Sequence, residues 1–430
     1  MSAFLLLSVP GAAGQIPPDL QKNLPASFRE IKKATKKYAG LWGRDLYGAM
    51  LLIDPQTRRI FANEPDATHV LTRCGDIYTG ILPDSVNFAN TSMDWNGKRW
   101  AMIMLPLPPG KHDRLSLLAH ELFHTVQPSL GFVLRDADNR HLDQKHGRVY
   151  LRLELEALKK AVRSLSKKEQ RRHLSHAMVF RKYRHSLYEG SPTAENLLEL
   201  NEGLAEFTGA VVSGRSGRQA GEHLAHSMDA FISRPTFVRS FAYYTVPAYG
   251  YLLYKENKNW NREITAETGL TDYFIRAFAI QIPPDLKETA DSLSGDYGGA
   301  AILQEETERE EKNRALVDGY KRLLVEQPHF EIRFEQMSIS FDPGNIVPLG
   351  DEGSVYPTLR VSDRWGVLTV RKGALVSARW DKVSITNPVR TEGRRVEGDG
   401  WLLELTEGYV PEKDAEGGYH LSYRGGGGDS

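Results

Sequence analysis

Apolar residues recur at helical spacing between Asp113 and Pro128. The face that they define consists of Leu115, Leu118, Leu122 and Val126. Asp113 is a suitable N-cap and Pro128 marks the expected end, so the pattern predicts an amphipathic helix. The preceding segment, Lys98–Leu107, is apolar and rich in β-forming residues, which predicts a strand beside this helix.

The pattern changes twice along the chain. Residues 26–110 mix an early helix with strands such as 48–54 and 59–62, whereas helical periodicity dominates residues 111–328. From His329 onward, short β-rich runs alternate with Gly, Asp and Pro; these runs are 330–334, 365–370, 374–380 and 401–405. The chain is therefore predicted to be an α+β protein, with one mixed and helical domain followed by a small all-β C-terminal domain at 329–424.

The two ends of the chain carry different signals. Residues 1–25 contain a short apolar core at 3–14 that ends in small residues, like the later part of a secretory signal without its basic start. This favours a secreted or periplasmic protein, with a cytoplasmic protein as the alternative. Residues 425–430 are glycine-rich and predict a disordered tail.

Composition narrows the possible partners. The chain has 55 acidic and 55 basic residues, so it carries no net positive charge that would attract a polyanion. We therefore expect no nucleic-acid partner. The basic run at 167–185, which includes Arg181 and Arg184, predicts the solvated face of a helical hairpin.

The single cysteine, Cys74, excludes an internal disulfide framework. Beyond the N-terminus no apolar stretch approaches membrane-spanning length, so no stable membrane insertion is expected.

The predicted helix contains the sequence His-Glu-Leu-Phe-His at residues 120–124. Residues four apart share a helix face and lie about 6 Å apart along the axis, so His120 and His124 are placed to converge on one metal ion. Glu121 lies beside them, as expected of the general base for a zinc-activated water. The segment resembles the His-Glu-x-x-His zinc peptidases, and this resemblance implies one Zn²⁺ ion as cofactor.

A catalytic zinc ion takes three protein ligands, so one more ligand must come from another segment. Gln127 and Leu130 stand where the metzincins have a glycine and a third histidine. The segment Leu200–Phe207, Leu-Asn-Glu-Gly-Leu-Ala-Glu-Phe, instead resembles the second-helix signature of the gluzincins, the thermolysin-like enzymes and related aminopeptidases. That resemblance implies a zincin-like catalytic domain in which Glu202 is a zinc ligand and Glu206 orients a histidine.

Two features of the pattern leave the third ligand open. On a helical wheel the acidic residues lie opposite the apolar stripe, as on a solvated face; they are Glu195, Glu199, Glu202 and Glu206. Glu154 is the rival, because it lies on the apolar side of its predicted helix and so needs a cationic partner or a place near the site. In the latter case Glu154 is either a metal ligand itself or a carboxylate that orients a metal ligand. The long spacer after His124 implies an inserted helical hairpin.

Tyrosines are dense in the segment Phe241–Tyr251. Amide hydrolysis develops negative charge on an oxygen, which needs a hydrogen-bond donor besides the metal. In related peptidases a Tyr or a His supplies it, and Tyr244 and Tyr249 are predicted for this role here.

These features predict a zinc metallopeptidase that hydrolyses peptide or protein substrates. Two other hypotheses use the same residues. One is a zinc-dependent hydrolase of a non-peptide amide, and the other is a non-catalytic, zinc-stabilised binding or scaffolding protein. The pattern leaves the oligomeric state open.

Overall fold

A computed structural model of the chain describes residues 18–83, 86–132, 138–341 and 346–424. The signal-like core at 3–14 and the tail at 425–430 lie outside the described residues. The chain divides into two compact units, Met1–Ala300 and Ala301–Ser430. Within the described ranges, no helix combines the length and apolarity needed to cross a membrane.

Most of the first unit is helical. Its helices are α1 (Pro18–Lys37), α2 (Lys111–Val126), α3 (Lys145–Arg163), α4 (Lys167–Leu187), α5 (Ser191–Leu198), α6 (Leu204–Val212), α7 (Gly217–Ile232), α8 (Ala242–Glu256), α9 (Leu270–Ala277) and α10 (Leu286–Ser294). A π-helical turn, Glu199–Gly203, joins α5 to α6 without a break in helical backbone angles. Helices α3 and α4 are joined by a short connection and pack against each other, which confirms the predicted helical hairpin.

A mixed sheet completes the first unit. Its strands are β1 (Met50–Ile53), β2 (Arg59–Ala62), β3 (Thr72–Cys74), β4 (Ile77–Ile81), β5 (Thr91–Trp95) and β6 (Lys98–Met104), in the spatial order β3-β4-β2-β1-β6-β5. Strands β1 and β6 are parallel, and the other neighbouring pairs are antiparallel. The predicted strands at 48–54, 59–62 and 98–107 are confirmed as β1, β2 and β6.

Helix α2 packs against β5 and β6, and it follows β6 directly in the chain. Its apolar face is buried, as Leu115, Leu118 and Leu122 show. The predicted N-cap was wrong, because the helix begins at Lys111 after an extended Gly110. Asp113 lies instead in the first turn, where a carboxylate complements the helix dipole, and it forms an ion pair with Arg215.

The second unit begins within α11 (Gly299–Lys321) and continues as strands. These are β7 (His329–Arg333), β8 (Ser338–Phe341), β9 (Val347–Pro348), β10 (Ser354–Tyr356), β11 (Leu359–Asp363), β12 (Gly366–Val370), β13 (Ala374–Val376), β14 (Lys382–Thr386), β15 (Pro388–Glu392), β16 (Arg395–Gly398), β17 (Trp401–Leu405), β18 (Tyr409–Lys413) and β19 (Tyr419–Tyr423). The end of α11 belongs to this unit because Tyr320, together with Leu324 just beyond it, packs on Val355 and Leu375.

Two sheets share the core of the second unit. Their spatial orders are β18-β19-β7-β14-β13-β10-β9 and β15-β16-β17-β12-β11-β8, and neighbours are antiparallel apart from β19 and β7. Phe330 and Ile385 of the first sheet share one buried cluster with Leu368 and Leu403 of the second. Along β12 buried and half-buried residues alternate, as expected of a strand with one face on a core. The α+β class and the C-terminal all-β region are thus confirmed.

Candidate metal centre

Helices α2 and α6 approach each other closely. A Cβ atom at Gly209 would lie 2.6 Å from the carbonyl oxygen of Ser116, so a glycine is required at this contact. This packing brings Glu202 of the π-turn and Glu206 of α6 against the histidines of α2.

Three side chains converge on one point. The Nε2 atoms of His120 and His124 are 3.0 Å apart, and Glu202 Oε2 lies 3.5 Å and 3.4 Å from them respectively. Among the described residues, these three form the single group whose potential ligand atoms all lie within 4.8 Å of one another. In a tetrahedral zinc site with bonds of about 2.0 Å, neighbouring ligand atoms are about 3.3 Å apart. The triangle therefore has the size that a zinc ion requires.

The other nitrogen of each histidine has a partner that fixes its proton. His120 Nδ1 donates to Glu206 Oε2 at 2.8 Å, and His124 Nδ1 donates to Gln127 Oε1 at 2.8 Å. The Gln127 amide is itself oriented, because its Nε2 donates to the backbone oxygens of Leu200 and Asn201 at 3.0 Å each. In the neutral imidazoles both Nε2 atoms therefore present lone pairs to the common point.

Three acceptor atoms that face one another require a positive charge between them. Burial lowers the pKa of His120, but its hydrogen bonds with Glu202 and Glu206 outweigh this and raise the pKa to about 10. Burial raises the pKa of Glu202, while hydrogen bonds from His120, His124 and Tyr243 lower it below its usual range. Protonation of this group and binding of a metal ion would therefore compete for the same atoms.

Glu121 lies beside the two histidines and is buried. Its Oε2 atom has no hydrogen-bond partner among the described residues, which is costly for a carboxylate unless a ligand satisfies it. Burial raises the pKa of Glu121 above its ordinary value. Glu121 thus has a proton-accepting oxygen that no protein group uses.

Tyr243, at the start of α8, is the functional residue that the sequence prediction missed. Its hydroxyl donates to Glu202 Oε2 at 2.5 Å, and its ring stacks on His120 with centroids 5.5 Å apart. The predicted donors Tyr244 and Tyr249 were wrong. Tyr244 stacks on Phe231, and neither Tyr244 nor Tyr249 lines the cavity at the metal centre.

Glu154 does not take part in the metal centre, so its prediction as a ligand or an orienting carboxylate was wrong. It is fully buried and accepts hydrogen bonds from Arg181 at 2.8 Å, Arg184 at 2.8 Å and Tyr249 at 3.0 Å. The weaker expectation that it needs a cationic partner is confirmed. Arg181 and Arg184 are also fully buried, which corrects the prediction that their run is solvated. The two arginines are buried because their positive charges compensate those of the buried carboxylates Glu154, Glu195 and Glu199.

A cavity of about 290 Å³ opens onto the metal centre. One wall consists of the convergent residues and their neighbours: Leu117, His120, Glu121, His124, Glu202, Glu206 and Tyr243. The opposite wall comes from β5, β6 and the residue before β5: Asn90, Thr91, Ser92 and Arg99. Strand β5 is the edge of the sheet, so its outer side pairs with no described strand.

Comparisons with protein-family models, with curated proteins and with solved structures found no match to this chain.

Proposed function

We propose that the protein is a zinc-dependent hydrolase, and more particularly a gluzincin-like metallopeptidase. The observation that carries the proposal is the convergence of two histidine Nε2 atoms and Glu202 Oε2 beside the unpartnered carboxylate of Glu121. Two nitrogens and one oxygen suit zinc better than magnesium or calcium, which prefer oxygen ligands.

His120, His124 and Glu202 would hold the ion. When bound, zinc acts as a Lewis acid and lowers the pKa of a water molecule to about 7. Glu121 is placed to accept a proton through its free Oε2 atom and to return it to the departing amine. Glu206 and Gln127 keep the two imidazoles in the tautomer that leaves Nε2 unprotonated.

Tyr243 has two roles in this proposal. Its single O–H faces the cavity and donates to Glu202 Oε2, the atom that would bind the metal ion, so this O–H would turn to the substrate oxygen once that carboxylate oxygen is coordinated. Negative charge that develops on the substrate oxygen needs such a donor. Its ring also restricts the rotation of His120 by stacking on it.

The edge strand favours a peptide substrate. Edge strands expose unpaired backbone N–H and C=O groups, to which an extended peptide adds as a further strand. Residues 91 and 92 of β5 line the cavity, so a peptide bound along this edge would pass the metal centre.

The test combines metal analysis with activity. We expect the purified protein to contain about one zinc ion per chain. Glu121→Gln should retain zinc and lose turnover of a peptide pool, whereas His120→Ala should lose both. The exposed Glu222, which pairs with Arg163, supplies the control Glu222→Gln, for which both properties should be unchanged.

Two results would contradict the proposal. Full activity of Glu121→Gln would exclude Glu121 as the base. A zinc-loaded wild-type protein that cleaves acylated amino sugars but no peptide would show the non-peptide amide hydrolase instead, and inertness towards both would favour a binding protein.

A further inference from the structure

The two walls of the cavity differ in charge. The helical wall contains the carboxylates of Glu121, Glu202 and Glu206, which surround the cation position. The strand wall contains Arg99, and no other lysine or arginine among the described residues lines this cavity. A substrate that spans the cavity therefore meets a separate positive group on the sheet side.

The guanidinium of Arg99 is held in a fixed place. Arg99 on β6 is the register partner of Asp94 on β5, and its Nη1 atom donates to Asp94 Oδ2 at 3.0 Å. Its Nη2 atom donates to Ser92 Oγ at 2.9 Å. The Arg99 side chain is 34% exposed and that of Asp94 is 75% exposed, so Asp94 is the more hydrated partner of the pair. An ion pair of this exposure is weak.

The hydrogen-bonding capacity of Arg99 is not used up by these two contacts. A guanidinium has five N–H donors in a planar fork. The Nε atom is buried and has no hydrogen-bond partner among the described residues. Nη1 and Nη2 each use one N–H in the contacts with Asp94 and Ser92, so each retains a second N–H that a substrate group in the cavity can accept.

Resting on the proposed peptidase function, we infer that Arg99 forms a subsite for a carboxylate of the substrate. The fork geometry of arginine matches a carboxylate in a bidentate arrangement. Asp94 already neutralises part of the charge on Arg99, and three carboxylates line the opposite wall, so a singly charged group fits better than a phosphate. The source is either the C-terminal carboxylate or an Asp or Glu side chain.

Ser92 and Asp94 belong to the same subsite. Residues 92 and 94 alternate with residues 91, 93 and 95, and Asp94 is the register partner of Arg99, so their side chains lie on the same face of the sheet as Arg99 of β6. Asp94 weakens the attraction for an anion because it competes for the guanidinium. Removing its charge should therefore strengthen binding of the substrate carboxylate.

The experiment uses zinc-loaded protein and two synthetic peptide pools. One pool has free C-termini and contains Asp and Glu; the other has amidated C-termini with Asn and Gln in their place. We compare wild type, Arg99→Met, Arg99→Lys and Asp94→Asn. The control is Arg29→Met, which removes an exposed arginine from a similar pair with Asp76 outside the cavity.

We expect wild type and the Arg29 control to cleave carboxylate-bearing peptides with kcat/KM about tenfold or more above the neutral pool. Arg99→Met should abolish this preference by raising KM for the carboxylate-bearing pool, so that the ratio of kcat/KM between the two pools falls to about one. Arg99→Lys should retain part of this preference, and Asp94→Asn should increase it. Peptides in which only the C-terminus is amidated, or only Asp is exchanged for Asn, then identify which substrate carboxylate Arg99 binds.

The outcomes separate the two proposals. Cleavage of both pools with equal efficiency would overturn the carboxylate subsite and leave the peptidase standing. An equal loss of activity on both pools in Arg99→Met would also overturn it, because that result shows a structural role. If zinc-loaded wild type cleaves neither pool, the proposed function fails and this inference fails with it.

Discussion

The substitution Arg181→Met tests how the interior of the first unit is built. Arg181, Arg184, Glu154, Glu195 and Glu199 form a buried ion cluster that links α3, α4, α5 and the π-turn. All five side chains are at most 1% exposed. Methionine has a similar length to arginine without its charge, so the substitution removes the ionic contacts with little change in volume.

The structure sets the size of the expected effect. Arg181 donates to Glu154 Oε1 at 2.8 Å and to the two oxygens of Glu199 at 2.7 Å and 3.1 Å. After substitution Glu154 keeps Arg184 and Tyr249, whereas among the described residues Glu199 keeps the hydroxyl of Thr245 at 2.8 Å as its one side-chain partner. Removing one partner of a buried ion pair costs about 3–5 kcal/mol, because the remaining charge is left without compensation. We expect the free energy of unfolding to fall by that amount.

Urea unfolding of the full chain, followed by circular dichroism, measures the loss. Arg172→Met is the matched control on the same helix, since Arg172 pairs with Glu169 at 2.6 Å but is 53% exposed. Exposed pairs contribute about 0–1 kcal/mol, so this variant should resemble wild type. If Arg181→Met lowered the free energy of unfolding by less than about 1 kcal/mol, the cluster would not be a water-excluded set of charges that depend on one another for compensation.

The same variants connect the cluster to the metal centre. Arg181 binds Glu199, the first residue of the π-turn that contains Glu202, whereas Arg184 donates to Glu154 and Glu195, neither of which lies in that turn. We therefore expect Arg181→Met to weaken zinc binding by about tenfold more than Arg184→Met, measured by competition with a chelator at a temperature where both are folded. Equal zinc affinity in the two variants would show that the cluster stabilises the fold without positioning Glu202.

Three further predictions concern single side chains. Glu206→Gln should weaken zinc binding by about 10–100-fold, because His120 loses its charged orienting partner; unchanged chelator competition would contradict this. Tyr243→Phe should lower kcat by about 100-fold while zinc content stays constant, and an unchanged kcat would remove Tyr243 from the mechanism. Burial raises the pKa of Asp66, but hydrogen bonds from Thr68, Leu71 and Val70 lower it below its ordinary value. The stability that Asp66 adds is therefore present above the unfolded-state pKa of about 4 and is lost as pH falls further, so the melting temperatures of wild type and Asp66→Asn should differ at pH 7 and converge in acid.

The parts of the site that could be predicted from sequence are those set by local geometry. His120 and His124 share a helix face at any regular i, i+4 spacing, and the apolar residues around them fix which face is buried. The hydrogen bond between His124 and Gln127 could also have been predicted from sequence, because Gln127 lies three residues after His124 on the same face. The strand before α2 was evident from its apolar run, and so was the transition to β-structure near His329.

The residues that were misjudged depend on contacts between distant segments. Helix α8 is buried on most sides and contains Pro247, so its sequence does not reveal that Tyr243 rather than Tyr244 faces the metal centre. Arg181 and Arg184 look like residues of a solvated basic face until Glu154 and Glu199 are placed beside them. A charge pattern on one helix is ambiguous because its partner charges lie on other helices.

The π-turn explains why the acidic residues around Glu202 could not be sorted by a helical wheel. A regular wheel places Glu195, Glu199, Glu202 and Glu206 on one face, yet Glu195 and Glu199 contact buried arginines whereas Glu202 and Glu206 contact His120. The backbone N–H of Leu204 bonds to the carbonyl of Glu199, five residues earlier, so one extra residue is inserted and the following helix turns by about 100°. That rotation lets one continuous helix contact the buried ion cluster on one side and the two histidines of α2 on the other. A wheel with a constant period cannot represent such a helix, which is why it could not show that Glu202 lies beside His120 and His124.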